Sequence, residues 1–454
     1  MAAPHPVAFA EAAWVWLKIG LLGFGGPAGQ IALMHRILVE ERRWIGEARF
    51  LHALNYCMLL PGPEAMQLAT YVGWLLHRLR GGLVAGIFFV LPGFFVILAL
   101  SALYAGYREA PAVAAAFYGV KAAVLAVVIE ALIRIGKRAL THPLALALAV
   151  LAFIAIFFLE VPFPLIILGA ALLGPILTRI APGAFAGQRN GKSSEQGSPA
   201  VVDAMIEAGL ATHIRPDPVR LIMVTLGFGA LWLAPVILLW VVLGDGSVFA
   251  QIGLFFSKMA VVTFGGAYAV LAYVAQQAVE TYGWLGPGEM LDGLGLAETT
   301  PGPLILVLEF VGFLAAYREA GMISPMAAGM LGATLTVWVT FVPCFLWIFA
   351  GAPYVEALRG RAGLAAALAA ITAAVVGVIL NLAVWFALHV LFADIREVHA
   401  AGLRLLLPEP TSLDPVALVL ALVALVALLR VRIGMLPVLA GAALFGLVWR
   451  LLIV

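Results

Sequence analysis

The sequence predicts an all-α, polytopic integral membrane protein built from two homologous halves. Three observations predict it. First, the chain has 454 residues, of which 64% are hydrophobic and only 11% charged. A soluble domain carries about 25% charged residues, so a water-soluble globule of this size could not cover itself. Second, apolar runs of about 20 residues recur along the chain, the length that crosses a hydrocarbon core of about 30 Å. A β-barrel would instead show alternating segments of about 10 residues. Third, a series of sequence landmarks recurs at a constant offset.

Taken in order, candidate helices fall near 10–34, 46–60, 63–78, 82–106, 111–135, 143–159 and 162–180. A stretch rich in Gly, Ser and charge, 181–220, reads as a solvated loop. Helices resume near 219–243, 249–275, 287–299, 302–318, 324–350, 364–393, 414–430 and 433–453. This gives 12–14 membrane segments. Those at 46–60 and 287–299 are short enough to be re-entrant. The opening MAAPHPVAFAEAAWVWLKIG has no basic n-region and no small-residue cleavage site, so no cleaved leader is expected.

Net charge is +2, too small to point to nucleic acid. The basic residues fall mostly in short loops, where they set membrane orientation. Cys57 and Cys344 lie far apart in apolar runs, so neither a disulfide framework nor a metal site follows from them; they read as small residues packing between helices. There is no Walker loop, no HExxH and no Cys/His cluster, and no acid–base or nucleophilic constellation can be assembled. No enzyme and no cofactor is expected.

The repeat organises everything else. Lys18 and Lys258, GFGG at 23–26 and TFGG at 263–266, Trp44 and Trp284, and Pro61-Gly62-Pro63 and Pro301-Gly302-Pro303 all lie 240 positions apart. Further on, LPGFF (91–95) resembles VPCFL (342–346), and VKAAV (120–124) resembles ITAAV (371–375), at an offset of 251. One insertion near 317–327 explains the shift. The expected division is a first repeat at 1–180, a polar linker at 181–218, a connecting helix at 219–245 and a second repeat at 246–454. Arg36, Arg42, Arg43 and Arg49 crowd the loop 36–49, whereas the matched 276–289 has no Lys or Arg. Arg134, Lys137 and Arg138 likewise lack basic counterparts. Under the positive-inside bias the matched loops belong on opposite faces. The helix 219–243 has no partner in the first half, and an odd connecting helix inverts a second copy. Inverted repeats are the expected relation.

The apolar run LLPGPEAMQLATYVGW (59–74) is broken by Pro-Gly-Pro, and TTPGPLILVLEFVGF (299–313) is broken in the same way. Backbone groups freed at membrane depth must face protein or a wet cavity. Pro63 and Pro303 suit the first position of a new helix, which would aim an N-terminus inward as an anion site. Gly25-Gly26 and Gly265-Gly266 allow φ > 0 and a concave nest of N–H groups; close helix packing is the plainer alternative. Lys18, Lys258 and Lys121 are ionisable groups in apolar runs and hence candidates for an anion's counter-charge, although lysines near helix ends also snorkel. Glu64 would cap its helix or titrate as a coupling group; the second half has Leu304 there and places its acids at Glu298 and Glu309. Gln67 and Gln30 are amide donors, and His35 and His52 could titrate near neutral pH. For each, an ordinary interhelical hydrogen bond or loop position is the simpler reading. Glu130 and Arg134 fit a pair on one helix face. The substrate-binding candidates are therefore Lys18, Gly25, Gly26, Pro61, Gly62, Pro63, Glu64, Gln67, Lys121, Lys258, Gly265, Gly266, Pro301, Gly302 and Pro303. From the residues alone this is a secondary transporter for an anion; an anion channel would use the same breaks.

FGGPAGQIALMHRILVEERRWI (24–45) and FLHALNYCMLLPGPEAMQLATYVGWLLHR (50–78) resemble the chromate ion transporter family, in its long, fused two-unit bacterial form. The FGG…W…PGP series extends the resemblance over both halves. It implies a multi-pass protein of the inner (plasma) membrane that exports chromate and confers chromate resistance, with sulfate as a related tetrahedral dianion. The partners it implies are the oxyanion, the bilayer and, as a candidate, a second copy of the chain.

Overall fold

A computed structural model describes residues 7–181, 200–209, 211–264, 267–354, 362–400 and 402–453. Among the described residues the regular structure is helical except for one hairpin. The first apolar run is two helices: α1 (Phe9–Leu22) stops at Gly23, and α2 (Gly26–His35) begins after Gly25, whose φ is +85°. α3 (Glu47–Leu59) ends at the first Pro-Gly-Pro. Next come α4 (Glu64–Tyr107), α5 (Pro111–Ala139), α6 (Pro143–Phe157), α7 (Phe163–Ile180), α8 (Val201–Glu207) and α9 (Pro218–Leu243). The second repeat's opening run is again split, into α10 (Val248–Val262) and α11 (Ala267–Gln276), followed by α12 (Pro287–Thr299). A 3₁₀ turn at Leu304–Leu306 leads into α13 (Val307–Arg318). α14 (Pro325–Gly351), α15 (Ala362–Leu391), strands β1 (Ile395–Ala400) and β2 (Leu403–Pro408), α16 (Pro415–Val426) and α17 (Met435–Val448) complete the described chain.

Among the described residues, five helices are long and apolar enough to cross a bilayer, and five shorter apolar helices accompany them. α3 and α12, the two segments expected to be short, have 13 residues each. At 1.5 Å per residue that is about 20 Å, less than a bilayer core. α4 is nominally 44 residues long but folds in two at His77 and Arg78, whose backbone leaves the helical region. Gly73 meets the carbonyl of Gly81, and Gly82 that of Thr70, so its legs pack antiparallel through glycines. These legs are the separate helices expected at 63–78 and 82–106. In the second repeat, α13 packs on α14 the same way, through Gly312, Gly329 and Gly332.

Two expectations change. The polar linker contains α8, which docks on the loop before α3: the Val202 N–H donates to the Trp44 carbonyl at 2.9 Å, and Asp203 accepts from the Gly46 N–H and pairs with Arg49. Residues 182–199 and 210 of that linker lie outside the described residues. The β-hairpin at 395–408, unassigned from sequence, pairs Val398 with Leu405 and His399 with Arg404.

The chain divides into two compact units that cut across the repeats. One comprises Met1–Ala99, Arg189–Gly266 and Thr300–Gly360. It holds α1–α3, most of α4, α8–α10, α13 and α14, and α9 is fastened there by the Trp232 indole on Ser257 and the Trp338 indole on the Leu231 carbonyl. The other comprises Leu100–Gln188, Ala267–Thr299 and Arg361–Val454. Its helices touch at small residues: Gly119 on Ala442, Gly174 on Ala366 and Gly377 on Ala149. This is how helices associate where lipid offers no hydrophobic drive. At the edge of this unit the hairpin is clipped by Arg404, 6% exposed, which forks onto both Glu280 oxygens at 3.0 and 2.7 Å and onto Glu397 at 2.9 Å.

Candidate functional site

Within the first unit, both Pro-Gly-Pro breaks come to rest on the other repeat. The Gly62 N–H donates to the Thr263 carbonyl at 2.8 Å, and the Gly302 N–H donates to the Gly23 carbonyl at 3.0 Å. Thr263 is the repeat counterpart of Gly23, as Gly302 is of Gly62. Each break therefore closes on the end of the opposite repeat's first helix, and the exchange is mutual. A second exchange surrounds it. A side chain at Gly93 would strike the Pro301 carbonyl at 2.4 Å, and one at Gly62 would strike Cys344 Sγ at 2.8 Å. Gly93 and Cys344 are the matched positions after Pro92 and Pro343. Contacts in which i meets j′ and j meets i′ are the mark of a two-fold relation.

The local sequence explains the shape. Proline in first position removes an N–H that the new helix could not use, and Gly62 and Gly302 hold φ at +118° and +106°, which glycine alone adopts without strain. In α4 the first backbone bond is from Gln67 N–H to the Pro63 carbonyl, at 3.1 Å, so the amides of Glu64, Ala65 and Met66 precede it. These are the orphan donors of a helix start, and Ala65 and Met66 are buried. After the second break the Leu306 N–H bonds the Pro303 carbonyl at 2.9 Å, leaving Leu304 and Ile305 in the same position, 2% exposed each. At the other break Gly25 and Gly26 both have positive φ, and a Cβ at either would meet nothing within 4 Å. That turn is accessible backbone.

Two buried amides brace the breaks. Gln30 Nε2 donates to the Gly23 carbonyl at 3.0 Å and also to that of Gly302; Gln67 Nε2 donates to Pro61 at 2.7 Å. These are the ordinary structural bonds expected as the simpler reading. Yet Oε1 of each amide is buried with no hydrogen-bond partner among the described residues, and so are both carboxylate oxygens of Glu309 in α13.

The candidate residues therefore separate. Gly25, Gly26, Pro61, Gly62, Pro63, Glu64, Gln67, Pro301, Gly302 and Pro303 lie in the first unit, at the breaks. Gly265 and Gly266 lie outside the described residues. Lys18 and Lys258 are exposed at matched positions of α1 and α10 rather than enclosed. Lys121 belongs to the second unit, where its ammonium stands 3.4 Å from Asp292, which also accepts from the Tyr104 hydroxyl at 2.7 Å. Its charge is thus answered by protein. Nearby on α12, Glu289 pairs with Arg108 and Glu298 accepts from Tyr268. Glu130 pairs with Arg134 at 3.6 Å, as its spacing predicts. His35, the last residue of α2, is held by Glu40 at 3.1 Å and Glu47 at 2.5 Å. The carbonyls of Gly23 and Thr263, which receive the breaks, were not among the candidates. The repeat offset could have found them, because a two-fold relation pairs each landmark with its opposite number.

Helices broken at matched positions of a duplicated, apolar chain, and docked on one another, define a membrane transporter of the duplicated broken-helix class. The chromate transporter family model matches residues 10–175 and 250–447, one stretch in each half. The chain is 30% identical to the chromate transport protein of Cupriavidus metallidurans, covering 95% of this chain and 91% of that one. It is 32% identical to the chromate transport protein of Pseudomonas aeruginosa, covering 92% of each. A shorter relative, the uncharacterized transporter YwrB of Bacillus subtilis, is 32% identical over 30% of this chain and 68% of its own. No solved structure matches. The chain belongs to the chromate transporter family, and it is a multi-pass membrane transporter, not an enzyme.

Proposed function

We propose that the chain exports chromate across the inner (plasma) membrane by alternating access between two inverted repeats, conferring chromate resistance. The mutual docking of the two Pro-Gly-Pro breaks carries the reading, and the names of the full-length relatives supply the substrate. The Gly62 and Gly302 amides are spent on protein carbonyls, so the anion is held by other donors: the first-turn amides after Pro63 and Pro303 and the open turn at Gly25-Gly26. Lys18 and Lys258, exposed one to two turns before the breaks, raise the local anion concentration. Lys121, already paired, takes no part.

The loops beside the first unit's helix ends carry Arg36, Arg42, Arg43, Arg49, Arg78, Arg80, Arg215 and Arg220, and the positive-inside bias supports a cytoplasmic position for them. Arg78 lies 14 residues beyond Glu64, about 21 Å along the first leg of α4. With Arg78 at the interface, the break stands near the bilayer midplane, where transporters of this class hold their substrate. Moving a dianion out of a cell that is negative inside releases about 4.6 kcal/mol per 100 mV, twice the unit-charge value, so the potential favours export and a coupled proton adds to it. Sulfate, similar in shape and charge, competes for the same donors.

Chromate uptake into everted membrane vesicles, with and without excess sulfate, tests this. Saturable accumulation that sulfate suppresses is the expected result. A flux that rises linearly with chromate would instead favour a channel, and no uptake above vesicles lacking the protein would overturn export.

A further inference from the structure

The first unit contains a cavity of about 600 Å³ at the fold of α4, far from the breaks. Its polar lining is Arg78, His213 and Arg220; the rest is apolar, chiefly Trp74, Phe228 and Phe349, and no acidic residue lines it. Arg78 has no acidic partner among the described residues and holds φ at +55°, a conformation that is strained for a bulky side chain and recurs at binding sites. Arg220 stands in the first turn of α9, its guanidinium donating to the Arg215 carbonyl. His213 Nε2 lies 2.9 Å from the Trp74 carbonyl, and its ring meets the Trp74 indole edge-on at 5.0 Å. Burial pushes the His213 imidazole below its usual range; the Trp74 carbonyl pulls it up, and the charges of Arg78 and Arg220 push it further down. Both guanidinium charges therefore reach the same space.

A volume of this size exceeds what one small inorganic oxyanion needs, and most of its wall is apolar. The wall continues along α9 through Met223 and Leu231, which line the cavity and are 62% and 45% exposed, and so opens toward lipid in the membrane. We propose that this cavity is a site for an anionic phospholipid, with the headgroup phosphate on Arg78 and Arg220 and an acyl chain along α9. Basic pockets between helices at the cytoplasmic face take such headgroups. The site lies about 20 Å from the breaks along α4 and is independent of which anion the protein carries.

The test is thermal unfolding of the purified full-length protein in neutral detergent. The probes are dioleoyl phosphatidylglycerol, dioleoyl phosphatidylcholine or millimolar inorganic phosphate. Phosphatidylglycerol is expected to raise Tm by several degrees and the other two to leave it unchanged; the double variant Arg78→Gln, Arg220→Gln is expected to lose the shift. An undiminished shift in that variant overturns the proposal. A shift with inorganic phosphate alone also overturns it and reassigns the cavity to a free anion. Should the double variant not fold, Arg220→Gln alone is examined by native mass spectrometry. Loss of retained phosphatidylglycerol relative to the wild type supports the site, and equal retention refutes it.

Discussion

Gly62 and Gly302 hold backbone angles that side chains avoid, and each is pressed by the other repeat. Alanine at 62 meets Cys344 Sγ at 2.8 Å and Gln67 Nε2 at 2.9 Å; alanine at 302 meets Leu306 at 3.2 Å and Gly93 Cα at 3.3 Å. The left-handed conformation alone costs about 1–2 kcal/mol, which is roughly a tenfold effect. Gly62→Ala and Gly302→Ala are each expected to lower transport by at least about tenfold, by that conversion, read as initial chromate uptake per folded protein. Adding Cys344→Ala to Gly62→Ala removes the nearest obstacle and should recover part of the loss, whereas the same addition to Gly302→Ala should not. Glu309 presents another case. It is fully buried and its carboxylate has no hydrogen-bond partner among the described residues, a position where an ionised group is expensive. Glu309→Gln is expected to leave protein abundance intact and to make transport insensitive to an imposed pH gradient. Unchanged gradient dependence would show that no coupling proton passes through it.

Among the elements, the apolar helices, the breaks and the paired short segments were legible because each is a local composition signal. Of the glycines at the fold of α4, Gly81 lies between the helices expected at 63–78 and 82–106 and Gly73 and Gly82 within them, so the hairpin was in reach of the sequence. Two elements were not. α8 has seven residues inside a polar stretch, and its register is set by Trp44, Gly46 and Arg49, more than 150 positions away. The β-hairpin depends on Arg404, whose three carboxylate partners, Glu160, Glu280 and Glu397, come from separate parts of the chain. Arg404 is buried but its carboxylate partners are partly exposed, so losing its charge-assisted hydrogen bonds costs about 2 kcal/mol. Arg404→Met is therefore expected to lower Tm by several degrees in detergent while sparing the first unit's breaks. Full retention of Tm would mean that the hairpin is not clipped by this cluster. The lysines show the opposite limit of sequence reading. Charge in an apolar run flagged Lys18, Lys121 and Lys258 alike, but only packing could tell an answered charge from two exposed ones.

The mutual docking of the breaks within the first unit is the pattern that a two-fold relation between repeats leaves, and on the inverted arrangement proposed above its axis lies in the membrane plane. That has a direct consequence for Glu41 and Thr281, matched positions that are both exposed. With Cys57 and Cys344 replaced, Glu41→Cys should be shielded from an impermeant thiol reagent in intact cells and Thr281→Cys should react. Reaction of both, or of neither, would mean parallel repeats. The claim on which everything rests is that the anion is held by backbone donors at the breaks. Gly25→Ala addresses it with little else disturbed, because the added methyl meets no atom within 4 Å and only the +85° φ is lost. Chromate uptake into everted vesicles, compared between wild type and Gly25→Ala at matched protein levels, should show KM raised roughly tenfold, about 1.4 kcal/mol of lost binding. An unchanged KM with normal maximal rate would contradict it and move the substrate away from the broken helices.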